Sequence, residues 1–73
     1  MNIGFIGTGN LANAMIAGVL KSGMLPGNNI YAYDIDAAKL DVFCKRHGIR
    51  PSESSAQLAE NCQAILLVVK PAD

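Results

Sequence analysis

The run Gly7-Thr8-Gly9-Asn10-Leu11-Ala12 has the spacing G-x-G-x-x-A and lies between a short apolar stretch and a segment of helical period. In that setting each small residue has a chemical use. Gly7 lets the chain turn sharply from strand to helix. Gly9 carries no side chain, so a pyrophosphate can lie against the backbone. Ala12 is small enough for the helix to pack on the strand. The first turn of such a helix leaves N–H groups unpaired and carries a partial positive charge, which suits a phosphate anion. Glycines also mark ordinary turns, so the motif needs support from elsewhere in the chain. Asp34 supplies it, standing 22 positions after Ala12 at the end of a second apolar stretch. A carboxylate about 20 residues beyond the motif is the group that accepts the ribose hydroxyls of a dinucleotide.

These residues need a scaffold of strands and helices in alternation, and the rest of the chain supplies it. Asn2 to Gly7 reads as a short apolar strand, and Asn10 to Ser22 as a helix with Leu11, Ala14, Met15, Gly18 and Val19 on one face. Gly23 is a helix stop, and Pro26-Gly27-Asn28-Asn29 is a turn cluster. Ile30 to Tyr33 forms the second strand. Asp36 caps a second helix with the apolar stripe Leu40, Phe43 and Cys44, and Gly48 ends it. Lys45, Arg46 and His47 fall in its last turn, where positive charge complements the helix dipole.

Ile49 and Arg50 form a very short third strand cut by Pro51. Ser54-x-x-Gln57 has capping-box spacing and opens a third helix running to about Asn61. Ala64 to Val69 is a continuous apolar run, as in a parallel strand buried on both faces, and Pro71 stops it. Lys70 would emerge at the carboxyl end of that strand, where ligands of open α/β sheets bind. The order β-α-β-α-β-α-β predicts an α/β, Rossmann-type parallel sheet with right-handed crossovers. It corresponds to the first half of a doubly wound domain, and the expectation is a piece of a longer protein.

Bulk composition narrows the classes. The chain has 73 residues, against about 100–150 for a common domain. Apolar residues make up 51%, too many for a disordered segment. Six basic and six acidic residues cancel, leaving no field to attract nucleic acid or an anionic membrane. No apolar run is long enough to span a bilayer. A signal peptide is not expected, since Asn2 stands in place of a basic leader and Gly7 to Asn10 interrupt the first apolar stretch. Cys44 and Cys62 lack C-x-x-C spacing and a neighbouring ligand cluster, so no metal site is expected. They read as reduced, buried thiols of a cytoplasmic protein. Tyr31 and Tyr33 read as sheet packing. No residue stands out as a catalytic acid or base.

The stretch Ile3 to Ala12, continuing through Ala14-Met15 and Gly18, resembles the opening of the pyrroline-5-carboxylate reductases. Val68-Val69-Lys70-Pro71 is similar to the A-V-K-P signature after the fourth strand in that family. The resemblance implies an enzyme that passes a hydride from a reduced nicotinamide to the ring C=N bond of 1-pyrroline-5-carboxylate, forming proline. It implies cofactor contacts at Ile6, Gly7, Thr8, Gly9, Asn10 and Leu11, at Asp34, at Ser55, and at Val68, Val69, Lys70 and Pro71. It also implies a C-terminal helical domain with the substrate site and a dimer interface, hence a homo-oligomeric parent and no catalytic residue in this segment.

Three positions depart from the family pattern. Asp34 replaces an environment suited to the 2′-phosphate of NADP, so the family habit points to NADPH and the carboxylate to NADH. Ser55 stands where some members have asparagine, and Ala72 where glutamine commonly follows V-K-P. Two other readings fit the same lobe: a hydroxyacid or 6-phosphogluconate dehydrogenase relative, and a nucleotide-sensing module without chemistry. Lys70-Pro71 favours the reductase over the other dehydrogenases.

Overall fold

The computed structural model describes residues 1–68. Four parallel strands, β1 (Ile3–Ile6), β2 (Ile30–Tyr33), β3 (Arg50–Pro51) and β4 (Ala64–Leu67), form one sheet in the order β3-β2-β1-β4. Helices α1 (Asn10–Ser22), α2 (Ala37–His47) and α3 (Ser55–Asn61) make the crossovers, and a 3-10 turn at Gly27–Asn29 leads into β2. The chain therefore builds outward from β1 to β3 and then returns to β1's other side for β4. That reversal is the switch point at which doubly wound sheets open a crevice beyond their carboxyl ends.

The sheet is packed unequally on its two faces. Ile3 and Phe5 of β1, Ile30 and Ala32 of β2, Ala12 and Ile16 of α1, and Leu40, Phe43 and Cys44 of α2 form one buried core. On the opposite face Leu58 of α3 is fully buried against Gly4. A Cβ on Gly4 would lie 2.5 Å from Leu58 Cδ2 and 3.0 Å from Cys62 Sγ, so the close approach of α3 depends on glycine there.

Sequence and structure agree on α1, β2 and the caps of α2 and α3. Gly23 and Gly48 close α1 and α2 in the left-handed conformation, at φ 74° and 65°. Three differences have physical reasons. The third strand is Arg50–Pro51 rather than Ile49–Arg50, with Pro51 opposite Ala32. Proline is tolerated because β3 is an edge strand, and the N–H of the next residue, Ser52, donates to Ala32 O at 2.8 Å. The fourth strand is not buried on both faces, since Ile65 and Leu67 are 44% and 71% exposed. Both belong to the edge strand β4 and lie in register with Gly4 and Ile6 of β1. Cys44 is buried, whereas Cys62 is only half-buried. Burial pushes the Cys44 thiol up to about 11, with Asp41 adding to the shift, so it stays protonated.

Candidate functional site

The motif glycines sit in the turn from β1 to α1, at the carboxyl end of the central strand. Gly7 has φ 108°, a conformation that side-chain-bearing residues rarely adopt, and its N–H donates to Tyr33 O at 2.9 Å. Gly9 is different. It is the N-cap of α1 in ordinary extended geometry (φ −81°, ψ −167°), and a Cβ there would meet no atom within 4 Å. The fold therefore demands glycine at position 7 but not at position 9. Ala12 is fully buried beneath the turn, while Leu11 is 65% exposed.

No side chain caps α1, and its first turn has no acidic residue. Its leading N–H groups border a cavity of about 280 Å³ lined by Thr8, Gly9, Asn10, Asn13, Lys39 and Arg46. The charged residues in that lining are both cations. A helix N-terminus beside two cations and an unneeded glycine has the chemistry to receive an anion.

Asp34 directly follows β2 and is half-buried. Its Oδ2 accepts hydrogen bonds from Thr8 N–H (3.0 Å) and from Thr8 Oγ1 (2.7 Å), and its Oδ1 accepts one from Asp36 N–H (2.9 Å). Burial alone would raise the pKa of this carboxyl. The bonds from Asp36 N–H and from the hydroxyl and N–H of Thr8, with the charge of Lys39, outweigh burial and hold it below its ordinary value. The Arg50 guanidinium lies over the Tyr31 ring, 5.8 Å from its centroid.

Asp34 also lines a second cavity, of about 510 Å³, with Tyr33, Ile35, Pro51, Ser52 and Gln57. Ser52 is 3% exposed, and its hydroxyl has no hydrogen-bond partner among the described residues. Buried hydroxyls are rarely left so, and ordered water or a bound group would each satisfy this one. Sequence reasoning missed Ser52, because a lone serine after a two-residue strand carries no pattern.

The other predicted positions are distributed around this centre. Ile6 ends β1, and its carbonyl accepts from Val68 N–H at 2.8 Å, tying the carboxyl ends of β1 and β4 together. Ser55 opens α3, is exposed, and lines neither cavity; its neighbour Ser54 is the cap. Val69, Lys70 and Pro71 lie outside the described residues. His47 does not act as a simple helix-end charge. Its Nε2 lies 2.7 Å from Asn13 Oδ1, and Asn13 Nδ2 donates to Gly9 O at 3.1 Å. Burial, with the adjacent Arg46, lowers its pKa below the ordinary value, which favours the neutral ring, and its bond to Asn13 links α2 to the glycine turn. Among the described residues no helix is long and apolar enough to cross a membrane, and no cluster of three metal-ligating side chains occurs.

Comparison with known proteins places this geometry in a family. The model of the family described as NADP oxidoreductase, coenzyme F420-dependent, matches residues 2–73. The pyrroline-5-carboxylate reductase of Treponema pallidum is 34% identical over 71 residues, covering 97% of this chain and 27% of that protein. That of Pasteurella multocida is 40% identical over 73 residues, covering 96% of this chain and 26% of that protein. The solved structure of a pyrroline-5-carboxylate reductase from Coxiella burnetii superposes with a TM-score of 0.84 at 34% identity, covering 96% of this chain and 26% of that one. The chain thus spans about a quarter of the length of the relatives it matches.

Proposed function

The chain belongs to the family described as NADP oxidoreductase, coenzyme F420-dependent, and we propose that it is the cofactor-binding portion of a pyrroline-5-carboxylate reductase. Gly9 is the observation that carries this reading. Nothing in the fold requires glycine there, and the space its missing side chain leaves adjoins an uncapped helix N-terminus and two cations. A pyrophosphate uses all three features.

In this arrangement the N–H groups of Asn10, Leu11 and Ala12 hold the pyrophosphate, with Lys39 and Arg46 screening its charge. Asp34 accepts a hydroxyl of the adenosine ribose, and Ser52 faces the adenosine end of the cofactor. On the family resemblance, Ser55 and Val68 to Pro71 complete the contacts. When bound, the reduced nicotinamide supplies a hydride to the ring carbon of the C=N bond, and a proton reaches the ring nitrogen, giving proline. Substrate positioning, on which such a bimolecular step depends, falls to a part of the protein beyond this chain, as does the dimer interface.

Asp34 is fully ionised at pH 7 and faces the ribose, so it repels a 2′-phosphate. With Lys39 offsetting part of that repulsion, NADH is favoured over NADPH by roughly 1 kcal/mol, or about five-fold. The test is to assay the intact protein for reduction of 1-pyrroline-5-carboxylate, following loss of reduced-nicotinamide absorbance with each cofactor, in wild type and Asp34→Ser. The reading predicts turnover, an NADH preference, and loss of that preference in the variant. No turnover with either cofactor would reject the reductase assignment. A wild-type preference for NADPH that Asp34→Ser leaves in place would remove Asp34 from the ribose site.

A further inference from the structure

Asp34 has more bonds inside the protein than a ribose-reading carboxylate needs. A carboxylate offers about four acceptor positions. The N–H and hydroxyl of Thr8 and the N–H of Asp36 take three of them, leaving one, on Oδ1, for a ligand hydroxyl. Thr8 is 3% exposed, so its side chain presents almost nothing to a ligand. It lines the cation-bordered cavity at the head of α1, whereas Asp34 lines the larger cavity toward β3. The bonded pair therefore links a lining residue of one cavity to a lining residue of the other, across 26 positions of sequence.

We infer that Thr8 is a positioning residue for cofactor specificity: its hydroxyl and N–H latch Asp34 to the glycine turn, so that recognition of the ribose and of the pyrophosphate is one coupled event. The inference rests on the reading of Asp34 as the ribose-facing carboxylate. With the latch closed, Asp34 cannot swing aside from a 2′-phosphate, and its remaining acceptor position is fixed relative to the turn. With the latch open, the carboxylate rotates toward solvent. The ribose then loses an oriented acceptor, and a 2′-phosphate loses a fixed opponent. Thr8 would thereby set the choice between two cofactors without touching the atoms that distinguish them.

The experiment is a double-mutant cycle on the intact protein with Thr8→Val, Asp34→Ser and the pair, plus Thr8→Ser as the conservative variant. Dissociation constants for NADH and NADPH are read from nicotinamide fluorescence. Thermal unfolding of each variant, and the behaviour of Thr8→Ser, separate a lost latch from a lost fold. Thr8→Val, which removes the hydroxyl of the latch and leaves its N–H, should bind NADH about five-fold more weakly and NADPH within about two-fold of wild type, collapsing the preference. Thr8→Ser should keep the wild-type ratio. The pair should behave like Asp34→Ser alone, because both substitutions remove one shared interaction. Thr8→Val with an unchanged ratio, or effects that add in the pair, would overturn the latch while leaving Asp34 at the ribose. If Asp34→Ser itself leaves the ratio at its wild-type value, the ribose reading fails and the latch fails with it.

Discussion

Three helices start at the carboxyl ends of β1, β2 and β3, and they begin in two different ways. The N-terminus of α2 is closed by Asp36, whose side chain accepts from Lys39 N–H at 3.1 Å. That of α3 is closed twice: Ser54 Oγ accepts from Gln57 N–H at 3.0 Å, and Gln57 Oε1 accepts from Glu53 N–H at 2.8 Å. The N-terminus of α1 has a glycine cap, no side-chain bond and open space where a Cβ would stand. A capping side chain improves on glycine by only about a few tenths of a kcal/mol, so forgoing one at the most central helix start is a small cost to the fold. The chain accepts that cost at the turn whose cavity is lined by Lys39 and Arg46. On the proposed reading, the helix starts that serve only stability are closed by the chain's own side chains, and the one proposed to hold a ligand keeps its N–H groups free.

Substitutions at Gly9 should give the largest effects. Gly9→Val should weaken NADH binding by about 100-fold or more, roughly 3 kcal/mol, by filling the space beside the pyrophosphate. Its unfolding free energy should fall by less than about 1 kcal/mol, because the added side chain meets nothing. Calorimetric titration together with urea unfolding reads both quantities. Gly9→Asp sharpens the contrast, because a carboxylate at the cap should stabilise α1 by about 0.5 kcal/mol and still abolish binding. A Gly9→Asp protein that binds NADH normally would show that α1 begins no differently from α2 and α3.

The closed helix starts should respond in the opposite sense. Asp36→Ala and Ser54→Ala should each lower stability by about 1 kcal/mol in urea unfolding, with NADH affinity within about two-fold of wild type. A loss of binding greater than the loss of stability at either position would break the distinction between capping for the fold and openness for the ligand.

The smallest expected effect concerns the tie from α2 to the glycine turn. His47 has a lowered pKa in the folded chain. The unfolded state therefore takes up a proton first as the pH falls through the ordinary histidine value of 6.5. The stability contributed by neutral His47 is present above that value and is lost progressively toward its folded pKa. Unfolding measured at pH 7.5 and pH 6.0 should show a decline that His47→Gln reduces. An equal decline in the variant would take His47 out of the pH response.

Local pattern made much of this legible in the sequence. Period, caps and stops gave α1, β2, α2 and α3 because each of those signals acts within a few residues. The glycine motif and Asp34 were legible as a pair because the fold imposes their spacing. The remaining features were set by neighbours far away in sequence. That Pro51 belongs to β3 depends on β3 being an edge, and that Ile65 and Leu67 are exposed goes with β4 forming the other edge. The bonds from Thr8 to Asp34 and from His47 to Asn13 span 26 and 34 positions, and neither leaves a periodic trace. A histidine in a last helical turn looks like a dipole charge until the packing that neutralises it is seen.

The most direct test of the central claim is to follow the backbone amides of the labelled protein by ¹H–¹⁵N NMR while NADH is added. The pyrophosphate should sit on the open N-terminus of α1, so the amides of Asn10, Leu11 and Ala12 should show the largest shifts. Those of Ala56 to Leu58, in the closed start of α3, should move far less. Amides at Asn10 to Ala12 that stay in place at saturating NADH would contradict the claim that this helix start was left open for the cofactor.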